Sequence, residues 1–273
     1  MTAATRGAAQ IAAAFDAADQ QGRAALIAYL TGTFPDANVS RACFAAAVEA
    51  GADVLEVGIP FSDPMMDGPI IQSANQRVLN AGVRVADQLE LIASLDVDVP
   101  IVVMTYVTIA DTRGYTRFAE ECAQAGVDGV ILPDLPVEEA DAWRAAAQGA
   151  GLATIFLASS VSTDERLASI GAASSGWVYA TGLLGVTGVQ RVAGDVTRDL
   201  VARVRTHTDL PVAVGIGVKD RASAAEVAGY ADGVIVGSAI VDAIAQGLPD
   251  SAPERVRTLV RELRAGVENS VRT

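Results

Sequence analysis

The feature that most constrains the fold is a repeated unit, in which a short β-branched run is followed by an Ala-rich helical stretch. The runs start mostly about 24 to 35 residues apart, the length of one strand-plus-helix unit. Near-continuous apolar runs such as VILP and VIVG are typical of strands buried on both faces of a parallel sheet. The predicted strands are Ala24–Leu30, Asp53–Gly58, Pro100–Thr105, Gly129–Leu132, Ala153–Leu157, Trp177–Ala180, Pro211–Gly215 and Gly233–Val236.

Eight such units predict an α/β fold, a single closed (β/α)8 TIM barrel. An open doubly wound sheet is the alternative, but the Gly-rich dinucleotide-binding turn that such a fold often carries after its first strand is absent. The sequence has no linker and no composition break, so residues 1–273 are expected to form one domain, with the barrel core at about 23–265. The Ala-rich start, Met1–Phe15, predicts a short helix on the surface.

Composition narrows the possible functions. The sequence contains 20 basic and 33 acidic residues, and its net charge of −13 argues against binding a nucleic-acid backbone or an anionic membrane. Two cysteines do not indicate a disulfide scaffold and favour the cytoplasm. The single histidine excludes a two-His metal site, and Lys219, the single lysine, is the only candidate for a Schiff base. No apolar run approaches the length of a membrane span, about 18 residues.

In a barrel of this kind, function lies at the C-terminal ends of the strands. Glu56 stands between Leu55 and Val57 in an apolar run, and strand alternation points it into the barrel if those neighbours face outward. Burial would raise its pKa and suit it to proton transfer near neutral pH. A glutamate satisfied by local hydrogen bonds is the alternative. Asp63 and Asp67 follow on the next loop, where carboxylates are usually solvated, but one of them could complete a two-carboxylate site with Glu56.

Glycines at three consecutive strand ends predict a phosphate site. They are Gly188 in GVTG, Gly217 in VGIG, and Gly237 followed by Ser238. Glycine lets backbone N–H groups approach an anion closely, and a serine at a helix start adds a hydroxyl donor. By itself, Tyr179 is more typical of core packing. If acid–base carboxylates beside a phosphate site cleave a carbon–carbon bond without a metal or a Schiff base, the substrate itself must accept the electron pair. An indole ring does so when its C3 is protonated.

These same segments resemble one known family. They are EVGIPFSDPMMDGP (56–69), GVTG (185–188), VGIGV (214–218) and DGVIVGSAIV (232–241), and together they are similar to the tryptophan synthase α chain from about Arg23 to Val241. The resemblance implies that Glu56 is the acid–base group in the retro-aldol cleavage of indole-3-glycerol phosphate to indole and glyceraldehyde 3-phosphate. It also implies that Asp67 contacts the indole N–H and that Tyr179 lies beside the catalytic glutamate.

The resemblance assigns further residues to the substrate and to a partner. The implied phosphate contacts are Gly188, Gly217, Gly237 and Ser238. The implied indole pocket is formed by Tyr29, Met104 and Ile131, and Thr187 belongs to a lid that meets Asp67. Pro60 and Asp63 lie on the loop that faces a β chain, which is expected to bind pyridoxal phosphate and to form an α2β2 complex in which indole passes between subunits. No cofactor is expected in this chain.

The sequence also departs from the family pattern. Val107-Thr108 replaces the Trp-Asn or Ala-Asn often found there, which bears on docking of the β chain, and Leu183 falls where some members carry Arg. Two other functions stay open at this point. One is another phosphate-binding barrel, such as indole-glycerol-phosphate synthase or phosphoribosylanthranilate isomerase. The other is a catalytically silent subunit that only activates a β chain.

Overall fold

Eight parallel strands close into a barrel in sequence order, as the computed structural model shows for residues 5–181, 190–215 and 217–270. Each strand pairs with the next, and the eighth strand pairs with the first. The prediction of a TIM barrel is confirmed, and strand bounds differ from those expected by at most two residues. The strands are β1 (Ala25–Thr31), β2 (Val54–Gly58), β3 (Ile101–Met104), β4 (Gly129–Ile131), β5 (Ala153–Ser159), β6 (Val178–Thr181), β7 (Val212–Val214) and β8 (Gly233–Val236).

Helices surround the barrel, and two of them, α3 (Pro69–Asn80) and α4 (Val85–Ala93), fill the long gap between β2 and β3. None of the helices in the described ranges is long and apolar enough to cross a membrane. The helices are α1 (Arg6–Gln20), α2 (Ala37–Glu49), α3 (Pro69–Asn80), α4 (Val85–Ala93), α5 (Val107–Arg113), α6 (Tyr115–Gln124), α7 (Asp141–Gly149), α8 (Asp164–Ala173), α9 (Gln190–Arg205), α10 (Arg221–Ala228), α11 (Ser238–Ala245) and α12 (Ala252–Glu268). Short 3-10 turns cover Val137–Glu139 and Pro249–Ser251.

Alternate residues of the strands form two separate apolar layers. One set packs outward against the helices, and the other fills the inside of the barrel. Because aromatic residues are scarce, the interior is built mainly from aliphatic side chains. The interior residues are Ala25, Ile27, Val54, Val102, Ile131, Ala153, Ile155, Trp177, Ala213 and Ile235.

The N-terminal helix closes the bottom of the barrel. It lies on the surface, as predicted, but it runs on to Gln20, beyond the predicted end at Phe15, and one of its faces is buried. Ile11 is fully buried and Phe15 is 4% exposed, with the Phe15 ring 5.9 Å from that of Trp177. Both side chains approach glycines at the strand starts: a Cβ on Gly129 would lie 3.2 Å from Ile11, and one on Gly233 would lie 2.9 Å from Phe15. The few large residues of α1 share one helical face, and burial of that face in the barrel end holds the helix in place.

Aspartates at strand entrances tie neighbouring strands together at the same end. Their carboxylates accept backbone N–H groups from the start of the preceding strand, at 2.8–3.0 Å. The pairs are Asp53 with Leu26, Asp128 with Ile101, and Asp232 with Val212. Asp53 also pairs with the buried Arg23, at 2.6 Å. These contacts join adjacent strands at the bottom of the barrel and so contribute to the stability of the fold.

Candidate active site

Glu56 points into the barrel from β2. It pairs in register with Tyr29 on β1 and Val102 on β3, and it lies two residues beyond the inward-facing Val54, on the same face of the strand. Its side chain is 1% exposed, and Oε2 has no hydrogen-bond partner among the residues that the structure describes. The inward orientation is therefore confirmed, and a glutamate fully satisfied by local hydrogen bonds is not what the described contacts show.

This environment keeps a proton on Glu56. Burial raises the pKa of Glu56 to about 8, and the negative charge of Asp67 adds to the shift. At neutral pH the Glu56 carboxyl is therefore mostly protonated and ready to donate. It can also accept a proton back within the working pH range, which is what an acid–base group requires.

Asp67 is the second carboxyl group, on the loop between β2 and α3. Burial raises its pKa to about 6, while hydrogen bonds from Asn75 and Tyr106 oppose the rise. The Asn75 amide Nδ2 donates to Oδ2 of Asp67 at 3.0 Å. At neutral pH Asp67 is mostly ionised, so one neutral and one charged carboxyl group share the barrel mouth.

Two tyrosines complete the surroundings of Glu56. Burial raises the pKa of Tyr29 and of Tyr179 well above the usual value for tyrosine, with smaller effects from Glu56 and Asp67, so both hydroxyl groups keep their protons. Tyr179 reaches this place from β6, across the barrel from β2. Tyr29 is in register with Glu56 and Tyr179 lies on the opposite strand, so both hydroxyl groups share the barrel interior with Glu56.

Glycines on the interior face make room for these tyrosines. A Cβ on Gly58 would overlap the Tyr29 hydroxyl, and a Cβ on Gly215 would overlap the Tyr179 hydroxyl. Each glycine ends or follows a strand, so its sequence position is typical of a turn. Glycine is needed at these two positions because an aromatic side chain from a nearby strand approaches the backbone too closely for any side chain to fit there.

The residues expected to form an indole pocket lie on adjacent strands beside Glu56. Tyr29 pairs in register with Glu56, and Met104 pairs with both Gly58 and Ile131. Tyr29 and Ile131 are buried, whereas Met104 is half-buried. The structure therefore provides an apolar wall of aromatic and aliphatic side chains next to the two carboxyl groups.

The candidate phosphate site lies at the ends of β7 and β8. Ser238 is the first residue of α11, and helix geometry leaves the first N–H groups of that helix without intrahelical acceptors. Gly217 has φ +72°, a left-handed conformation that favours glycine. Gly237 approaches Tyr29, because a Cβ there would lie 3.3 Å from the ring. An anion at this helix start would thus lie on the side of the mouth where Tyr29 stands.

Comparison with known proteins agrees with this geometry. The family model for the tryptophan synthase alpha chain matches residues 15–271. The chain belongs to the tryptophan synthase α-chain family. Members of this family are lyases that cleave indole-3-glycerol phosphate, and this protein is one of them. In this family pyridoxal phosphate belongs to the β chain and not to the α chain.

Individual relatives match nearly the whole sequence. The tryptophan synthase alpha chain of Streptomyces avermitilis is 50% identical over 92% of this chain and 92% of its own length. That of Mycobacterium ulcerans is 47% identical over 98% of both chains. A solved tryptophan synthase structure from Mycobacterium tuberculosis superposes with a TM-score of 0.88 at 44% identity, over 97% of this chain and 99% of that one. The match to this family sets aside the other phosphate-binding barrels.

The loop between β2 and α3 is the segment that the family resemblance directs to the β chain. Asp63 is exposed and accepts a hydrogen bond from the Ser62 hydroxyl at 2.6 Å, whereas Pro60 is buried. Met65 is 82% exposed, which is unusual for a large apolar side chain. The loop thus offers an anchored base and an exposed tip.

Tyr106 connects this loop to the active site. Its ring stacks on Phe61, with centroids 5.0 Å apart, and its hydroxyl accepts the backbone N–H of Met66 at 2.9 Å. A hydrogen bond from the same tyrosine lowers the pKa of Asp67. Tyr106 therefore anchors the loop and also favours the ionised form of the neighbouring Asp67.

Three positions named from sequence, Gly188, Thr187 and Leu183, lie outside the described residues. The departure at Val107-Thr108 is visible: it forms the first turn of α5, and the Val107 N–H donates to Asp134 at 2.8 Å. Nothing in the described residues groups three or more His, Cys, Asp or Glu side chains as a metal site would need.

Two residues that contact Asp67 were not assigned from sequence. Asn75 is a polar residue on the buried face of α3, beside Ala74 and Val78. A polar residue on an otherwise apolar helix face is the sequence signal that could have pointed to a functional role. Tyr106 follows β3 directly, at a strand end, where side chains of a barrel reach the active site. Their contact with Asp67 depends on the loop conformation, which spacing alone does not give.

Proposed function

We propose that Glu56 is the proton-transferring residue of this lyase. Neutral Glu56 donates its proton to the C3 atom of the indole ring, and the resulting iminium accepts the electron pair when the carbon–carbon bond from the ring to the glycerol phosphate group breaks. The Glu56 carboxylate takes the proton of the adjacent substrate hydroxyl as that carbon becomes the aldehyde of glyceraldehyde 3-phosphate. Proton count and charge balance, and Glu56 returns to its neutral form.

The observation that supports this most is the pairing of a neutral buried carboxyl with an ionised one. Asp67 accepts the indole N–H and stabilises the positive charge that develops on the ring after protonation. Tyr29, Met104 and Ile131 enclose the ring and keep water from it. Tyr179, protonated and beside Glu56, orients the reacting carboxyl.

The phosphate group of the substrate is assigned to the starts of the loops after β6, β7 and β8. Gly217, Gly237 and Ser238 offer backbone N–H groups and a hydroxyl there, and Gly188 is expected to add another N–H. The N-terminal end of α11 carries the positive side of the helix dipole, which favours a dianion without any basic side chain. Thr187 is assigned to the lid that closes over the bound substrate.

The partner is a tryptophan synthase β chain, in an α2β2 assembly that receives the indole. Pro60 and Asp63 stand on the loop that we assign to this contact, and the Phe61–Tyr106 stack gives the contact a physical connection to Asp67. We further infer that residues 1–273 form one domain, and that the protein works in the cytoplasm. The biosynthetic family and the two free, buried cysteines support that location.

The test is the cleavage of indole-3-glycerol phosphate by Glu56→Gln in the presence of the β chain. Loss of the general acid should lower kcat by about a hundredfold to ten-thousandfold, with KM nearly unchanged because the amide keeps the shape of the carboxyl. Glu120→Gln, at an exposed position on α6, is the matched control and should keep the parent turnover. Comparable turnover by both variants would contradict the role given to Glu56.

A further inference from the structure

A buried amide stands behind the charged carboxylate of the site. Asn75 is 3% exposed, on the face of α3 that otherwise carries small and aliphatic side chains. Burying a polar side chain costs free energy unless its groups are hydrogen-bonded. Its Oδ1 has no partner among the residues in the described ranges, so only part of that cost is recovered. An unsatisfied buried amide of this kind points to a function for the part that is bonded.

The bonded part is directed at Asp67. Nδ2 of Asn75 donates to Oδ2 of Asp67 at 3.0 Å, and this contact spans the turn from the loop into α3. An ionised carboxylate only accepts hydrogen bonds, so the N–H donor matches the charged form of Asp67. Gln72 holds the same residue by a different atom, because its amide donates to the Asp67 backbone carbonyl at 2.8 Å. The backbone and the carboxylate of Asp67 are therefore held by two different side chains.

We propose that Asn75 is a positioning residue that aims the Asp67 carboxylate at the indole N–H and keeps Asp67, rather than Glu56, as the charged member of the pair. This inference rests on the proposed roles of those two residues. Asn75 does not touch the substrate; it acts through Asp67. The unsatisfied Oδ1 is the cost of placing a donor at that point in an apolar helix face.

A change in pH separates this role from a purely structural one. The reaction needs Asp67 ionised, so kcat/KM falls on the acid side as Asp67 takes up a proton, near its pKa of about 6. Removing the Asn75 donor raises that pKa by about one to two pH units, the usual contribution of a hydrogen bond to a charged group. The alkaline limb of the kcat/KM profile is set by Glu56. It should not move, because burial is the larger cause of the raised pKa of Glu56.

The experiment compares Asn75→Leu with Gln88→Met in the complex with the β chain. Gln88 is an equally buried amide with one carbonyl oxygen lacking a partner among the described residues, but it bonds Gly32 and Thr33 instead of a carboxylate. Both variants lose thermal stability. Only Asn75→Leu moves the acid limb of kcat/KM upward, by about one to two pH units. An unmoved limb in a folded Asn75→Leu overturns the proposal.

Two further measurements complete the test. In the unmodified protein, the side-chain NH2 resonance of Asn75 should titrate together with the Asp67 carboxyl carbon. Independent titration would refute the contact without the need for a variant that folds. The Asp67→Asn variant has no ionisable side chain at this position, so the acid limb seen in the kcat/KM profile of the parent should be absent from its own profile. If the limb persists there, the role given to Asp67 fails. If it disappears there but Asn75→Leu leaves it unmoved, only the inference about Asn75 fails.

Discussion

Replacing Glu56 by Gln should stabilise the folded protein, and the gain should grow with pH. Folding moves the Glu56 pKa from 4.5 to about 8, so the folded state binds this proton more tightly than the unfolded state. Stability is therefore lost as pH rises from 4.5 toward 8, which is the sign that linkage requires when the folded state holds more protons. Glutamine stays neutral throughout and avoids this loss.

The size of the effect follows from the same shift. Each pKa unit corresponds to about 1.4 kcal/mol, so the loss reaches on the order of 3 kcal/mol at pH 7 and about 5 kcal/mol above pH 8. Near pH 4.5 the Glu56→Gln variant and the parent should unfold at nearly the same denaturant concentration, since both side chains are then neutral when folded.

The assay is urea unfolding of parent and variant between pH 4.5 and 8.5, followed by circular dichroism. The plotted quantity is the difference between the two free energies of unfolding, which cancels titrations common to both proteins. Glu120→Gln should give a difference near zero at every pH, because that side chain is exposed. A difference for Glu56→Gln that does not rise with pH would refute the claim that burial holds Glu56 neutral.

Three other changes test separate parts of the structure. Ser238→Asp places a like charge at the phosphate site and should raise the calorimetric Kd for indole-3-glycerol phosphate at least about tenfold; an unchanged Kd would place the phosphate elsewhere. Gly215→Ala should displace the Tyr179 hydroxyl and lower kcat/KM, whereas Gly149→Ala, in open space on α7, should not. Phe15→Ala should lower the free energy of unfolding by about 3–5 kcal/mol while KM stays unchanged.

The barrel was predictable because its signals are local. β-branched runs at regular spacing mark strands, and alternation alone placed Glu56 inside, since Leu55 and Val57 pack outward. The glycine-rich ends of β7 and β8 were likewise read from the residues that stand there. Each of these inferences needs only the neighbours of a residue in sequence.

What sequence did not give depends on residues far apart along the polypeptide. Gly215 looks like a turn residue until Tyr179 of another strand is seen against it. Asn75 meets Asp67 only because the loop before α3 folds back, and no spacing rule encodes that contact. The Ala-rich composition of α1 concealed a buried face, although Ile11 and Phe15 lie four residues apart on it.

The helix that seals the barrel bottom makes the active site a dead-end chamber. Ile11 and Phe15 occupy the end of the barrel opposite the mouth, and aliphatic side chains fill the layer above them. Substrate and both products must therefore enter and leave through the same opening at the barrel mouth. A β chain docked over that opening, as we propose, would stand directly in the exit path of indole, so the closed bottom of the barrel would direct indole toward the partner.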